Sequence, residues 1–265
     1  VTSQSISIKK VQSEVIALFV SDVHLNEKLP LTTQAFIDLI ESYAGKTQHL
    51  FLLGDLFEYW AGDDDMESAY HQRIISVLQN ISLAGCQLYW IAGNRDFLIG
   101  DAFAKKMGMQ LLPDPSCITL LGKTFLIAHG DAQCTDDVAY LRFRNMVRQD
   151  VWQTEFLKRP LQERKAIIEQ MRQASVEGQK QKTMEIMDVN ADAIEKLFVQ
   201  NKVTTIIHGH THRPALHLEK HGLRYVLPDW NCDHHLAQAS GGWLTLNHDG
   251  EFYFHRLSGE ITSAW

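Results

Sequence analysis

Five apolar, strand-like runs in this chain each end at once in a short polar piece. Val15 to Val20 runs into Asp22-Val23-His24, Leu50 to Leu53 into Gly54-Asp55, Leu88 to Ile91 into Gly93-Asn94-Arg95-Asp96, Phe125 to Ile127 into His129-Gly130, and Thr204 to Ile207 into Gly209-His210-Thr211-His212. Short apolar runs bounded by turn residues read as buried strands, and residues at the ends of strands that share a sheet collect along one rim. The polar residues are imidazoles, carboxylates and an amide, the donors that borderline divalent metals accept. Each piece alone has an ordinary reading as a turn or core residue. His210 and His212 are more pointed, because alternate residues of an extended segment face the same way. Together, in order and each at a strand end, the pieces read as a two-metal phosphoesterase site.

The intervening segments predict an α/β layered fold. A helix is expected from about Thr32 to Tyr43, where Phe36, Leu39 and Ile40 fall at helical spacing, another near Tyr70 to Ala84, and a short one near Ala102 to Met107. The chain therefore begins βαβαβ, which implies a parallel sheet. Ile118 to Leu121 and Thr124 to Ile127 read as a hairpin, as do Trp243 to Leu246 and Glu251 to Phe254. Two sheets with helices outside are expected. Between His129 and His210 the pattern is helical, with Tyr140, Phe143, Val147 and Val151 three or four residues apart and breaks at Pro160 and Gly178.

The blocks resemble those of the calcineurin-like metallophosphoesterase superfamily: Asp-x-His, Gly-Asp, Gly-Asn-His-Asp/Glu, a lone His, and Gly-His-x-His. The resemblance implies an α/β/β/α sandwich of two sheets. Arg95 stands where most members carry His. A guanidinium stays protonated at any working pH, so it cannot donate a proton to a poor leaving group and can only clamp phosphate. A phosphoanhydride, whose leaving group departs as a stable phosphate anion, fits better than an alkyl or protein phosphoester. Longer words agree. Gly54 to Trp60, Gly62 to Asp65, Gly93 to Leu98, His129 to Asp131, Cys134 to Asp137, Ile186 to Asn190 and His208 to Pro214 resemble the UDP-2,3-diacylglucosamine pyrophosphatase family of lipid A biosynthesis.

That resemblance implies one metal held by Asp22, His24 and His212, a second by Asn94, His129 and His210, and Asp55 bridging both. Two Mn²⁺ per chain are expected, activating a water that is the nucleophile. Asp55, Asn94, Arg95 and His210 then carry the catalysis, with Arg95 on the attacked phosphate. Substrate contacts fall to Asn94, Arg95, Asp137, Arg172, Ser175, Gln179, Lys182 and His210. Position 179 departs from the better-known members, which carry Asn. Arg95 paired with Asp96 on the surface, and Asp137 as a helix N-terminus, are the plainer readings of those two residues. His208 reads as core or as support for the ligands, and His234-His235 as a solvated turn.

One domain over 1–265 is expected, with a helical cap inserted at about 138–200. From Arg142 to Lys182 there are ten Lys or Arg against five Asp or Glu, in a chain of net charge −7. A solvated helix surface would explain this; beside a two-metal site, a basic amphipathic lid meeting phosphates and acyl chains is the favoured reading. The acidic balance and lack of a nucleic-acid module argue against nucleic acid as partner. No apolar run approaches the roughly 20 residues of a membrane span. The first fourteen residues are polar and Ser-rich, unlike a secretory signal, and read as a frayed extension or added strand. The four scattered cysteines suggest a reducing cytoplasm. The expectation is a monomeric, Mn-dependent hydrolase from a Gram-negative bacterium, peripheral on the cytoplasmic face of the inner membrane, converting UDP-2,3-diacylglucosamine to UMP and 2,3-diacylglucosamine 1-phosphate. A soluble phosphoesterase of nucleotides or phosphoproteins, or a non-catalytic binding protein, are the other classes.

Overall fold

The structure, a computed structural model, describes residues 15–179, 188–233 and 239–265; for 174–179 only the helical backbone is described. The N-terminal extension, Lys182 and the His234-His235 pair lie outside these residues.

In chain order the elements are β1 (Val15–Val20), α1 (Pro30–Tyr43), β2 (Thr47–Leu52), α2 (Ala69–Leu83), β3 (Gln87–Ile91), α3 (Asp101–Met107), β4 (Met109–Leu112), β5 (Ser116–Leu120) and β6 (Lys123–Ile127). There follow α4 (Val138–Val147), α5 (Asp150–Leu157), α6 (Leu161–Gln179), α7 (Ala191–Asn201), β7 (Thr205–His208), β8 (Ala215–Glu219), β9 (Gly222–Val226), β10 (Gly242–Asn247), β11 (Phe252–Arg256) and β12 (Ile261–Thr262). A seven-stranded sheet runs β12-β11-β10-β1-β2-β3-β4 and a five-stranded sheet runs β5-β6-β7-β9-β8. β1 to β4 are mutually parallel, and β1 closes against antiparallel β10. The second sheet is also mixed, with β6, β7 and β9 parallel.

The strands of the first sheet are buried on both faces, as βαβ crossovers require. Leu18, Val20, Leu50, Leu52, Leu88 and Trp90 point to one face, where Phe36, Ile40, Ile74, Leu78 and Phe103 of α1, α2 and α3 cover them. Phe19, Phe51 and Ile91 point to the other and meet Phe125, Ile127, Ile207 and Tyr225 of the second sheet. Outside that sheet, Ile194, Leu197 and Phe198 of α7 pack on Leu126 and Ile206. The layers are α/β/β/α, as the resemblance implied. Because α7 belongs to this outer layer, α4, α5 and α6 are the helices between 138 and 200 that stand apart from the sheets.

Helix starts follow local chemistry. Pro30 opens α1, where a missing N–H costs nothing. The next free donors, on Leu31 and Thr32, reach the Asp233 carboxylate at 3.0 and 2.9 Å. Ser68 caps α2 through the His71 N–H at 3.1 Å, and Asn190 caps α7.

Between the sheets, Phe51 stacks on Phe19 at 5.0 Å and on Tyr89 at 4.6 Å between ring centroids. Phe51→Ala should leave a cavity that neither sheet can close and cost about 3–5 kcal/mol. Urea unfolding followed by circular dichroism checks this; an unchanged midpoint would contradict the sandwich packing.

Candidate metal centre

At the rim where β1, β2, β3, β6 and β7 end, the backbone turns through left-handed conformations. Asp22, His24, Asp55 and His212 each have φ of 54° and His210 has 69°, and they are five of the seven non-glycine residues with positive φ among those described. Asp, Asn and His tolerate this region better than most side chains, though it remains costly and is held only where its surroundings dictate it. Here backbone bonds do so: Asp22 N–H donates to Gly54 O at 3.1 Å, His24 N–H to Asp55 O at 3.0 Å, and Gly209 N–H to His129 O at 2.9 Å.

Two glycines permit the approach. A Cβ on Gly93 would lie 2.1 Å from Asp55 Oδ1, and one on Gly209 would lie 2.1 Å from Asp22 Oδ2. Their appearance in the Gly-Asn and Gly-His blocks is a requirement of packing against carboxylates.

The candidate ligands converge. Asp22, His24 and His212 offer donor atoms within 4.8 Å of one another, as do Asp22, Asp55 and His129. Asp22 is common to both groups, and Asp55, the expected bridge, lies in the second with Oδ1 3.7 Å from His129 Nε2. Asn94 Oδ1 is 3.0 Å from His129 Nε2. The His210 ring packs 5.0 Å from that of His129.

The donor set fits divalent cations. His129 Nδ1 faces the Leu53 carbonyl at 2.8 Å, so Nδ1 carries the hydrogen and the Nε2 lone pair points at the Asn94 and Asp55 oxygens. His24 Nε2 and His212 Nε2 are 3.3 Å apart, while their Nδ1 atoms face Glu58 and Asp229 carboxylates at 3.1 and 3.5 Å. With both Nδ1 atoms protonated, two lone pairs oppose each other. Asp22 Oδ1 is buried without a hydrogen bond, and His212 Nε2 lies 3.5 Å from it. A cation at each place resolves these acceptor-to-acceptor contacts, and carboxylates behind imidazole ligands are the usual support of such a site.

The negative field of the neighbouring acids favours a cation at the imidazoles of His24, His129 and His212 and equally favours a proton that would compete for the same nitrogen. Burial opposes protonation of His129, yet the charges of Asp55, Asp131 and Asp22 push its imidazole up to about 9. Burial and then the His129 charge bring His210 down to about 4. Burial would raise Asp22, but His212, His129 and His24 hold it well below the usual carboxylate range.

Several other residues fall into definite positions. His208 is buried, donates through Nδ1 to Gly209 O at 2.8 Å and accepts from Arg224 at 3.2 Å; burial and that guanidinium press it down to about 3. It is a supporting core residue and its nitrogens are occupied. Asp137 caps α4 by accepting the Tyr140 N–H at 3.0 Å, which is the helix N-terminus reading. Arg95 does not pair with Asp96. It lies 3.8 Å from Glu58, because Asp96 is buried beneath the loops and its oxygens already accept backbone hydrogens. Arg172 reaches Glu58 at 2.5 Å. Ser175 and Gln179 lie on α6, their side chains among those not described.

Four supporting acids escaped the sequence reading. Asp96 accepts from Asp55, Gly93 and Phe57 N–H groups at 3.1 to 3.2 Å and so joins the second and third loops. Burial and the Asp55 charge push it up to about 7. Asp131 is buried beside His129 and takes hydrogen bonds from Tyr140 and Arg144 of α4 at 2.6 and 2.8 Å. Glu58 and Asp229 stand behind His24 and His212. Glu58, Asp96 and Asp131 lie inside the quoted words, so position was the available signal for them, while Asp229 lies well past the last of them; nothing in their residue type separates support from ligand.

Asp96→Ala leaves three buried N–H groups without an acceptor, each worth about 1–3 kcal/mol. We expect at least about 3 kcal/mol lost in urea unfolding and a lower metal content by elemental analysis. Unchanged values in both would remove Asp96 from this role.

A model of the calcineurin-like phosphoesterase family matches residues 17–214. The chain is 44% identical over 221 residues to a UDP-2,3-diacylglucosamine hydrolase of Aromatoleum aromaticum, covering 82% of this chain and 90% of that protein. It is 44% identical over 221 residues to one of Tolumonas auensis, covering 82% and 89%. With one of Haemophilus influenzae it shares 42% over 236 residues, covering 89% and 97%.

Proposed function

The chain belongs to the calcineurin-like phosphoesterase family and, within it, to the UDP-2,3-diacylglucosamine hydrolases, and from that membership we propose that it cleaves the pyrophosphate bond of UDP-2,3-diacylglucosamine. Water adds to the α-phosphorus and the bond to the bridging oxygen breaks, giving UMP and 2,3-diacylglucosamine 1-phosphate. The observation that carries the reading is Arg95 beside the strand-end acceptors, in the position where a proton-donating His is usual.

In this reading Asp22, His24 and His212 hold one Mn²⁺ and Asn94, His129 and His210 the other. Asp55, whose Oδ1 lies 3.7 Å from His129 Nε2, would serve both ions, as the resemblance implies. Two such ions supply an activated water and a Lewis acid for phosphate when bound. The chain's own residues do the rest. Arg95 clamps the attacked phosphate and balances its developing charge. Asn94 and His210 orient that phosphate against the rim. Arg172, Ser175, Gln179 and Lys182 bind glucosamine and phosphate from the cap, with Asp137 at its root. The departing group is the phosphate of 2,3-diacylglucosamine 1-phosphate, a stable anion that needs no proton, so no general acid is required.

The cap helices α4, α5 and α6 serve as a basic lid on a single catalytic domain. Val138, Met146, Val151 and Leu157 on α4 and α5 are exposed apolar residues suited to acyl chains and to a bilayer surface. No helix among the described residues is long and apolar enough to cross a membrane. The reading is therefore a monomer attached peripherally to the cytoplasmic face of the inner membrane, acting in lipid A biosynthesis.

The test is release of UMP from purified UDP-2,3-diacylglucosamine with Mn²⁺, beside UDP-N-acetylglucosamine and an aryl phosphate. We expect turnover of the acylated substrate alone. Asp55→Ala should abolish it. Arg95→Ala should lower kcat about 10²–10³-fold, the scale of losing one charge-stabilising donor, with metal content unchanged. Loss of metal from the Arg95 variant would overturn the clamp, and equal turnover of all three compounds would move the chain to general phosphoesterase activity.

A further inference from the structure

One side chain outside the ligand set touches three groups that the reading above keeps separate. Glu58 follows the Asp55 loop, and its N–H donates to Leu25 O at 3.1 Å, which fixes it beside His24. Its Oε2 lies 3.1 Å from His24 Nδ1, off the line of a linear hydrogen bond. Its Oε1 lies 2.5 Å from Arg172 of α6 and 3.8 Å from Arg95. Arg172 is further held by Glu169 at 3.1 Å and by the Tyr59 ring, 5.9 Å beneath its guanidinium.

We propose that Glu58 is a positioning residue: one oxygen orients His24 so that Nε2 faces the metal centre, and the other gathers Arg95 and the cap's Arg172 at one point beside it. Each guanidinium carries five N–H donors, and the contacts to Glu58 and Glu169 use only some of them, so donors remain for phosphate. The carboxylate also draws together two like charges that would otherwise separate. Glu58 thus joins the α6 lid to the first metal group. At the opposite side, Asp131 joins α4 to His129 through Arg144 and Tyr140.

The inference rests on the reading of Arg95 and Arg172 as phosphate contacts, and its test has one arm that needs no substrate. Mn²⁺ alone is titrated by calorimetry into chelator-treated wild type, Glu58→Gln and Glu58→Asp; the first variant keeps the shape without the charge, the second the charge with a shorter reach. We expect Glu58→Gln to bind Mn²⁺ at least tenfold more weakly, the usual scale for removing a group behind a metal-bound imidazole, and Glu58→Asp to recover part of the loss. In the substrate arm, Arg172→Ala should raise KM severalfold in the wild type and add little in the Glu58→Gln background. A Mn²⁺ affinity within twofold of wild type, or an Arg172→Ala effect on KM that is the same in both backgrounds, overturns the proposal. Should the wild type fail to hydrolyse the substrate while the Mn²⁺ affinities respond as expected, the substrate assignment fails and the His24 role stands.

Discussion

Acceptors that face one another along the rim organise this molecule. A buried carboxylate oxygen or imidazole lone pair is costly without a compensating cation or proton. Asp22 Oδ1 has no hydrogen bond, His24 and His212 oppose each other through Nε2, and His129 Nε2 meets Asn94 Oδ1. Five left-handed backbone turns hold these groups in place. The strain is sustained because the rim belongs to two sheets whose apolar faces are sealed against each other. Binding free energy of a cation offsets what the apo-protein alone would bear.

Around that centre the supports are arranged by element. Asp96 ties the loops after β2 and β3, while Ser21 donates to Asp22 at 2.6 Å from the end of β1. The cap reaches in from two sides, α4 through Asp131 and α6 through Glu58. Arg164 of α6, almost fully buried, anchors that helix to the Ala61 carbonyl and the Asp64 carboxylate. The basic character of the cap is thus partly structural: Arg144, Arg164 and Arg172 are already paired with acids of the main body.

Much of this was legible in the residues. The strands before the five blocks are where the apolar runs put them, since a strand buried on both faces leaves an uninterrupted apolar signature. The helices α1, α2 and α3 followed from spacing to within about two residues. β4, β8, β9 and β12 were not read: β4 is four residues long and half exposed, and in the β8–β9 hairpin His217, Glu219 and Arg224 interrupt the apolar pattern. The helix α7 looked continuous with the cap because periodicity reports an apolar face and not which layer covers it. Of the site, Asp22, His24, Asp55, Asn94, His129, His210 and His212 were the expected ligands, and the structure places Asp22, His24 and His212 in one close group and Asp22, Asp55 and His129 in another. Glu58, Asp96, Asp131 and Asp229 were not foreseen, because a supporting acid differs from a ligand only in which atom it faces.

The rim is built to hold two cations. Anomalous scattering at the manganese edge, measured on crystals grown with Mn²⁺, tests this without assuming any substrate. Two peaks are predicted, one among Asp22, His24, Asp55 and His212 and the other among Asp55, Asn94, His129 and His210. A single peak, or none at this rim, would contradict the account.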